Sequence, residues 1–432
     1  MALFAERVRL IDTENAFKIG LCIREVEARG HRVIRCNLGE PDAALPAHIR
    51  DEVKRQLDLD NTHYCDPQGL LGLRVAIARQ LSETRGISIT PDRVVVFPGA
   101  KPAIGLCQHA YTSEGDEVIY PSPGYPIYES FTRYVGAVPV PVHLVEEGGF
   151  ELTPEALDAA ISDRTKLIFL NSPSNPTGGV ASREQLAALA EVILDRAPDD
   201  VRVYADEVYE HILFDGEEHH SIAAVPGMER ITIIVSGVSK SYAWTGGRIG
   251  WAAFPTAAEA LEFRNLNINY FSCLPAYNQE GARLALTSPD SPPKIAEMVA
   301  AFERRRDIVV RALNEIDGIR CQCPRGAFYV FPNVAGACER VGAVEAFRSL
   351  PADERERTSP STLFQLFLLY RHHVATMDRR SFGRLGSEGR HYLRLSIATA
   401  LEDLEEAVRR LAEAAADRRG FESFFADGRH HY

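Results

Sequence analysis

The chain lacks any long run of apolar residues. Its densest apolar stretch, residues 363–370, is interrupted by Gln365 and falls short of the roughly 18 residues that a membrane-spanning helix needs. The N-terminal string MALFAERVRL carries charges where a secretory signal peptide has an apolar core. The sequence therefore predicts neither a membrane span nor a secretory leader.

An excess of basic residues is also missing. The chain has 48 Lys and Arg against 60 Asp and Glu, a formal net charge of −12. Proteins that bind the phosphate backbone of nucleic acids present a basic face. We therefore expect no nucleic-acid partner.

Cysteine and histidine are present but not clustered. The eight cysteines are scattered through 432 residues, which argues against a disulfide framework and predicts reduced thiols in a cytoplasmic protein. Cys321-x-Cys323 has no second pair at zinc spacing, and the thirteen histidines are dispersed. No metal site is predicted.

What the chain does have is an alternation of short β-branched runs with helical patterns. Between most of the strand candidates lie helical segments, such as residues 101–111 and 183–194. This alternation is typical of an α/β protein whose mostly parallel sheet is covered by helices. The strand candidates are residues 94–97, 117–120, 166–170, 201–204, 231–235 and 248–254.

The pattern changes after about residue 288, which predicts a smaller α+β domain. We expect a long helix over 294–316, a strand pair at 319–323 and 328–331, and a last helix with Leu401, Leu404, Val408 and Leu411 on one face. Thr399 and Glu402 stand at capping-box spacing before that helix. Residues 333–361 are predicted to be a surface excursion and residues 420–432 a frayed tail. The expected division is an N-terminal arm joined to the small domain (1–45), a large domain (46–288) and the small domain (289–432).

The residues that follow the predicted strands are the first place to look for a site, because ligands of open α/β sheets gather at the carboxyl ends of the strands. Gly99-Ala100-Lys101 opens a helix there, so its free N–H groups favour an anion such as phosphate, although a plain turn fits the same residues. Tyr125 ends the string Pro121 to Tyr125 and could face a flat ring or simply pack.

Polar residues also follow the next two strands. Asn175 stands in the string Asn171 to Gly178, where Asn175-Pro176 favours an extended residue and then a turn. Asp206 ends an apolar strand, where a carboxylate is costly unless a cation or a donor meets it. Tyr209 lies three residues on, at the spacing that places side chains on one side of a helical turn.

Two cationic residues complete the pattern around the fifth strand, and a third lies near the C-terminus. Lys240 follows the strand in a setting of small residues, where loss of solvent would lower its pKa and make the amine nucleophilic. Arg248, in a Gly-rich stretch, could clamp an anion. Arg394 sits inside an apolar strand and needs an anion, either an internal carboxylate or that of a substrate.

Together these residues resemble the class I/II aminotransferases, the pyridoxal-phosphate enzymes of fold type I. The resemblance runs from about residue 33 to residue 410. It implies a large domain with a mostly parallel, seven-stranded sheet covered by helices, and a smaller α+β domain. Its markers occur in the family's order: Asn37 to Asp42, Tyr64, Gly99-Ala100-Lys101, Pro123-Gly124-Tyr125, Asn171 to Gly178, Asp206 to Tyr209, Ser239-Lys240, Arg248, Arg305-Arg306-Asp307, Gly326 to Tyr329, and Arg394.

The resemblance implies a role for each residue that would meet the cofactor's ring. Lys240 is similar to the lysine that forms the internal aldimine with pyridoxal phosphate and later moves the proton between Cα and C4′. Asp206 would pair with the pyridine nitrogen and keep the ring protonated. Asn175 and Tyr209 would bind O3′, and Tyr125 would stack on the ring.

It also implies how the phosphate and the substrate are held. The phosphate would meet the helix-start residues Gly99, Ala100 and Lys101, together with Ser239 and Arg248. Tyr64 resembles the tyrosine that reaches the phosphate of the neighbouring subunit, which implies a homodimer with shared active sites. On the substrate side, Arg394 would hold the α-carboxylate, with Gly39 and Asn175 beside it.

The implied activity is transfer of the amino group of an L-amino acid to a 2-oxo acid, with 2-oxoglutarate as the implied acceptor. Two departures from the family pattern, Trp244 in the lysine motif and Asp378-Arg379 in place of a Pro-Gly, keep a lyase, a decarboxylase or an oxidase on the same scaffold open. A ligand-sensing DNA-binding regulator is disfavoured by the acidic balance and by the 36 or so residues before the Asn37 motif. The amino donor stays open, with His109 and Arg379 as candidates for a second carboxylate contact.

Overall fold

In the computed structural model, which describes residues 3–11 and 15–431, the largest element is a seven-stranded sheet. Its strands lie in the order β1-β7-β6-β5-β4-β2-β3. β7 pairs antiparallel with both of its neighbours, and the other pairings are parallel. The predicted α/β fold is confirmed. The strands are β1 Val94–Phe97, β2 Glu117–Ser122, β3 Val138–His143, β4 Thr165–Asn171, β5 Arg202–Asp206, β6 Thr232–Gly237 and β7 Gly250–Ala253.

The strand that the residue pattern did not predict is β3, whose sequence is VPVPVH. Pro139 and Pro141 argue against a strand, because proline cannot donate to a sheet ladder. β3 lies at the edge of the sheet and pairs only with β2, so each proline can turn its nitrogen away from the partner strand.

Alternate residues of β1 pack into different cores, as expected of a strand buried on both faces. Val95 and Phe97 pack among residues of the helices Lys101–Tyr111 and Ala257–Phe271. Val94 and Val96 pack among residues of other helices, chiefly Leu71–Arg85 and Ala276–Thr287. Each fully buried side chain of this kind stabilises the fold by roughly 1.5–3 kcal/mol. The remaining α-helices up to residue 287 are Asn15–Ala28, Ala47–Asp58, Ile127–Val135, Pro154–Asp158, Arg183–Arg196 and Val238–Ser241.

The C-terminal part has a separate core built around short strands. Tyr329–Val330 and Met377–Asp378 both pair antiparallel with Leu393–Ser396. Ile34–Arg35 pairs in parallel with Val374–Ala375, so the N-terminal arm joins this part. The helices here are Ser291–Asn314, Ala335–Val341, Ala343–Ser349, Ala352–Arg355, Pro360–His372, Leu401–Ala416 and Arg418–Ala426.

Several local predictions in this part are wrong. The segment 319–323 forms no strand pair with 328–331. Instead, Arg320 makes an isolated bridge to Asn333, and Tyr329–Val330 pairs with Leu393–Ser396. The last long helix begins after Ala400, with no capping side chain, so the predicted capping box is absent from the described structure.

The predictions of an excursion and of a frayed tail are also wrong. Residues 335–355 form short helices that bury Ala337, Cys338 and Val341. In the tail, residues Arg418–Ala426 form a helix. Phe421 and Phe424 of this helix are buried against the helix Pro360–His372. Sparse apolar residues at helical spacing therefore anchor segments whose overall composition is polar. None of the described helices has both the length and the apolar character that crossing a membrane requires.

Candidate active site

A cavity of about 380 Å³ opens at the carboxyl ends of the central strands. Asn171, Asp206 and Gly237, the last residues of β4, β5 and β6, line it, and residues of the C-terminal part close it from the other side. Most of the residues singled out from the sequence line this cavity: Gly39, Ala100, Lys101, Tyr125, Asn175, Asp206, Tyr209, Ser239, Lys240, Arg248 and Arg394.

Lys240 projects into the cavity from the short helix Val238–Ser241, which follows β6 directly. Its Nζ donates a hydrogen bond of 2.5 Å to the carbonyl oxygen of Gly39. The same Nζ lies 6.0 Å from the ring centre of Tyr209 and 5.9 Å from that of Phe328. The amine therefore stands at the end of a buried strand, between aromatic walls, where a nucleophile can meet a carbonyl group.

Asp206 is buried, with 6% of its surface exposed. Its Oδ2 accepts a hydrogen bond of 2.6 Å from the hydroxyl of Tyr128, while no described group hydrogen-bonds to its Oδ1. Burial raises the pKa of Asp206 to about 6, and the bond from Tyr128 opposes that rise. An unpartnered carboxylate oxygen in a cavity calls for a cationic or N–H donor from a ligand.

The asparagines beside Asp206 link it to Arg394. The side-chain amide of Asn171 donates to the carbonyl oxygen of Asp206 at 3.0 Å, and its Oδ1 accepts from the backbone N–H of Asn175 at 2.8 Å. The Oδ1 of Asn175 in turn accepts from Nη1 of Arg394 at 2.9 Å. The Asn175 side chain is thereby held in one orientation at the cavity wall.

Arg394 is a buried cation whose protein acceptors are neutral. Besides Asn175, it donates to the carbonyl oxygen of Asn37 at 2.7 Å. Its Nε has no hydrogen-bond partner in the described structure. The guanidinium carbon lies 4.4 Å from the ring centre of Tyr329 and 4.8 Å from that of Phe382. A buried guanidinium held in this way is suited to a carboxylate ligand.

Tyr209 is buried, and its hydroxyl lies 2.8 Å from that of Tyr329. Tyr329 also restricts position 39 to glycine, because a Cβ there would lie 2.0 Å from the Tyr329 hydroxyl. The glycine therefore allows the backbone of residue 39 to approach the cavity floor.

Arg248 and the start of the helix Lys101–Tyr111 form an anion-binding corner. Ala100 is the N-cap of the helix Lys101–Tyr111, whose free N–H groups and dipole favour a negative charge. Arg248 adopts a positive φ of 51° and donates to the carbonyl oxygens of Thr245 at 2.9 Å and Pro98 at 3.0 Å. A Cβ at Gly99 would lie 2.2 Å from Nη2 of Arg248, so only glycine lets these segments meet. Gly99 does not line the cavity itself.

Tyr64 lies outside the cavity, with 89% of its surface exposed. Trp244 packs in the core beside the sheet and does not line the cavity. His109 packs against Phe131 and Tyr134, and Arg379 is fully buried, so neither offers a second carboxylate contact in this cavity.

Sequence reasoning missed Tyr128, the hydrogen-bond donor to Asp206. Its position three residues after Tyr125, at the start of the helix Ile127–Val135, was the available signal. It also missed lining residues that only the fold brings in, namely Ala16, Phe17, Met377, Ser381 and Phe382.

Comparisons with known proteins agree on one family. The family model for aminotransferase class I and II matches residues 32–411. The aspartate aminotransferase of Bacillus subtilis is 36% identical over 94% of this chain and 97% of its own length. The crystal structure of the aspartate aminotransferase from Rhizobium meliloti has a TM-score of 0.85 and 32% identity, covering 96% of this chain and 99% of that one. An aromatic aminotransferase structure from Pyrococcus horikoshii has a TM-score of 0.79 and 32% identity, covering 92% and 100%.

Proposed function

The chain belongs to the class I and II aminotransferase family, and we propose that it transfers the amino group of L-aspartate to 2-oxoglutarate. Amino-group transfer with pyridoxal phosphate follows from the family. The choice of aspartate is the proposal, and it is supported by the names of the relatives and by one feature of the cavity, its cationic side chains.

The residues of the cavity fit pyridoxal phosphate. The unpartnered Oδ1 of Asp206 is suited to a protonated ring nitrogen, and the helix start at Ala100 with Arg248 is suited to a phosphate. Lys240 supplies an amine for the aldehyde. When bound, the cofactor supplies that aldehyde and an electron-withdrawing ring that stabilises negative charge at the substrate's Cα.

The reaction has two half-reactions, in which the donor leaves as a 2-oxo acid and the acceptor takes up its amino group. The chain's own residues have separate roles in these half-reactions. We assign to Lys240 the transfer of the proton from and to the substrate's Cα through its Nζ. Asp206, when ionised, would keep the proton on the ring nitrogen, and the hydrogen bond from Tyr128 fixes the orientation of this carboxylate. Tyr209 and Asn175 would hold the ring's phenolic oxygen, and Tyr125 would stack on the ring.

The phosphate end is assigned to Gly99, Ala100 and Lys101 through backbone N–H groups, together with Ser239 and Arg248. The substrate's α-carboxylate is assigned to Arg394, whose planar fork suits a bidentate carboxylate. Asn175 orients that fork through its 2.9 Å bond to Nη1. Gly39 leaves room for the substrate beside Tyr329.

The single observation that carries aspartate is the side chain of Lys101. Of the lining cations, Lys240 is the reacting amine, Arg248 belongs to the phosphate corner and Arg394 meets the α-carboxylate. Nζ of Lys101 lies 5.7 Å from the ring centre of Phe17 and 5.8 Å from that of Tyr125, so it stands between aromatic walls. An ammonium group there favours a donor with a second carboxylate.

We also propose a homodimer with shared sites, in which Tyr64 reaches the phosphate corner of the neighbouring subunit. Tyr64 is 89% exposed, and Leu59 and Leu71 on either side of it in the chain are exposed by 61% and 60%. Exposed apolar side chains of this size are typical of surfaces that a partner covers. We also propose the division into residues 1–45, 46–288 and 289–432. It is supported by two apolar cores whose buried members all lie within 46–288 and by a third core in which residues after 288 predominate. A location in the cytoplasm stays a prediction from the dispersed cysteines.

A donor panel tests the proposal. We expect L-aspartate to exceed L-phenylalanine in kcat/KM by at least about tenfold with 2-oxoglutarate as acceptor. Replacing Lys101→Met should lower kcat/KM for aspartate by about 10–100-fold, the effect of losing a hydrogen bond to a charged group. The same change should leave phenylalanine within about threefold. A wild-type enzyme that prefers phenylalanine, or a Lys101→Met variant that loses both donors equally, would contradict it.

A further inference from the structure

The pair Asp378-Arg379, which departs from the family pattern, forms a polar crosslink next to residues that line the cavity. Arg379 is fully buried. Its Nη2 donates to Oγ of Ser122 at 2.8 Å, and its Nη1 donates to the carbonyl oxygens of Gly383 at 3.0 Å and Phe382 at 3.3 Å. Ser122 is the last residue of β2. A single guanidinium thus joins the large sheet to the turn that follows Met377–Asp378.

Asp378 fixes the same turn from its other side. Its Oδ1 accepts from the backbone N–H of Ser381 at 3.1 Å and from the Ser381 hydroxyl. Its Oδ2 accepts from the hydroxyl of Thr362. The carboxylate therefore caps the short helix Arg379–Phe382, as an aspartate commonly does at a helix start.

The tip of this turn reaches the cavity. Ser381 and Phe382 both line it. The Phe382 ring centre lies 4.8 Å from the guanidinium carbon of Arg394, and the carbonyl oxygen of Phe382 accepts from the N–H of Gly124 at 3.0 Å. The hydroxyl of Ser381 accepts from the side-chain amide of Asn15 at 3.0 Å, at the start of the N-terminal helix.

We propose that Arg379 is a positioning residue that holds Phe382 against Arg394 and so sets the affinity for the substrate's α-carboxylate. The proposal rests on the assignment of that carboxylate to Arg394. The contacts run from Ser122 through Arg379 to Phe382 and then to Arg394, and the N–H of Gly124 also binds the carbonyl oxygen of Phe382.

Arg379 cannot take the place of Arg394 and bind the carboxylate itself. Its side chain has no exposed surface, and both Nη atoms are directed to acceptors of the protein. Burial lowers the pKa of Arg379 to about 10, and the nearby carboxylates of Asp378 and Glu129 oppose that decrease, so the group stays charged at neutral pH.

The planar fork of arginine is what the site needs, because its acceptors lie on different segments. A lysine at this position offers its donors from a single point and cannot span Ser122 and Gly383 in the same way. A methionine fills part of the volume but donates nothing. The turn then keeps its cap at Asp378 and loses its connection to β2.

The test compares three variants of the holoenzyme with wild type: Arg379→Met, Arg379→Lys and Ser122→Ala. For the amino donor that wild type turns over fastest, we expect KM to rise by about tenfold in Arg379→Met with kcat within about threefold. Arg379→Lys should lie between that variant and wild type. Ser122→Ala, which leaves the turn intact, should raise KM by about threefold. The cofactor's absorption spectrum should not change in any of them.

Arg306→Met is the matched control. Arg306 is also a buried arginine, bonded to Asp215 and 4.9 Å from the ring of Phe214, and it does not line the cavity. The Arg306→Met variant should have a lower Tm than wild type and an unchanged KM.

The proposal is overturned if Arg379→Met leaves KM unchanged, or if KM rises equally in Arg306→Met. If Arg379→Met does not fold, Ser122→Ala decides the matter alone. The identity of the best donor is read from wild type, so failure of the aspartate proposal would be seen separately.

Discussion

The hydroxyl of Tyr128 donates a 2.6 Å hydrogen bond to one carboxylate oxygen of Asp206, while no described group bonds to the other. Tyr128 is itself fixed, because its ring stacks on Phe169 with centres 4.4 Å apart. The carboxylate is therefore oriented before any ligand arrives, and its second oxygen is presented to the cavity. That orientation costs stability in the absence of a ligand, since burial raises the pKa of Asp206 to about 6.

The first prediction concerns this cost. Folding raises the pKa of Asp206 above its ordinary 3.8, so the folded state binds the proton more tightly, and stability declines as the pH rises through about 6. In the cofactor-free protein, Asp206→Asn should therefore be more stable than wild type at pH 8 by about 3 kcal/mol. Below about pH 4 the difference should vanish. Urea unfolding at both pH values measures it.

The matching control is Asp163→Asn, at an exposed position, which should change stability little at either pH. The same Asp206→Asn variant should lose most of its transaminase activity, because the neutral amide no longer keeps the ring nitrogen protonated. An unchanged pH dependence of stability in Asp206→Asn would contradict the assignment of the raised pKa to this group.

A second prediction follows from the hydroxyl of Tyr128. Tyr128→Phe removes a bond that lowers the pKa of Asp206, so that pKa should rise further and, in the cofactor-free protein, the decline of stability with pH should extend to higher pH. The ring still stacks on Phe169, so the Tm should change by only a few degrees. An unchanged pH dependence of stability, measured by urea unfolding of the cofactor-free variant from pH 4 to 8, would show that the bond does not tune Asp206.

A third prediction concerns the buried charges behind Asp206. Nη2 of Arg85 lies 2.5 Å from a carboxylate oxygen of both Glu207 and Glu210, and the side chains are almost fully buried. Arg85→Met would leave two buried carboxylates without their cation, at a cost of about 3–5 kcal/mol in the free energy of unfolding at pH 7. Adding Glu207→Gln and Glu210→Gln to this variant should recover most of the lost free energy of unfolding. Chemical unfolding of the cofactor-free protein measures both effects.

The control for this network lies on the same helix. Arg79 pairs with Glu83 on the surface, so Arg79→Met should cost no more than about 0.5 kcal/mol. The pKa of Glu210 is lowered to about 2 despite its burial, chiefly by the charge of Arg85. Its contribution to stability is therefore present above its ordinary pKa and is lost as the pH falls toward 2. A wild-type protein whose stability is flat from pH 5 to 2 would contradict this.

A fourth prediction tests the close approach at Gly39. A Cβ there would lie 2.0 Å from the hydroxyl of Tyr329, so Gly39→Ala must displace that ring and with it the 2.8 Å contact to Tyr209. We expect a drop in kcat/KM of about 10–100-fold, because the tyrosines share the cavity wall with Arg394. Gly20→Ala, where the nearest other atom is an arginine terminus at 3.7 Å, should be neutral in kcat/KM.

A fifth prediction concerns Tyr64. If its hydroxyl reaches the phosphate of a second subunit, Tyr64→Phe should weaken cofactor retention by about 3–10-fold without changing the Tm of the cofactor-free protein. Sedimentation should give a mass near twice 47.9 kDa. A monomer with full activity would rule out the shared site.

The sequence by itself determined much of the fold and of the candidate site. Apolar strand runs followed by Asn171, Asp206 and Gly237 predict residues at one sheet edge, because parallel strands end on the same side. The short motifs around Lys240 and Arg248 are local, so their residue order carries the information. What local pattern could not show was β3, where Pro139 and Pro141 are tolerated only because the strand lies at an edge.

Only the tertiary structure decided which distant residues complete the cavity. Tyr128 meets Asp206 across 78 positions of the chain, and Arg379 meets Ser122 across 257. Such pairs depend on how helices and turns pack on the sheet, and no spacing in the chain encodes them. The same holds for Phe421 and Phe424, whose burial orders a tail that composition alone predicts to be frayed. These long-range contacts are determined by how distant surfaces pack, which depends on their shape and on the desolvation of buried groups.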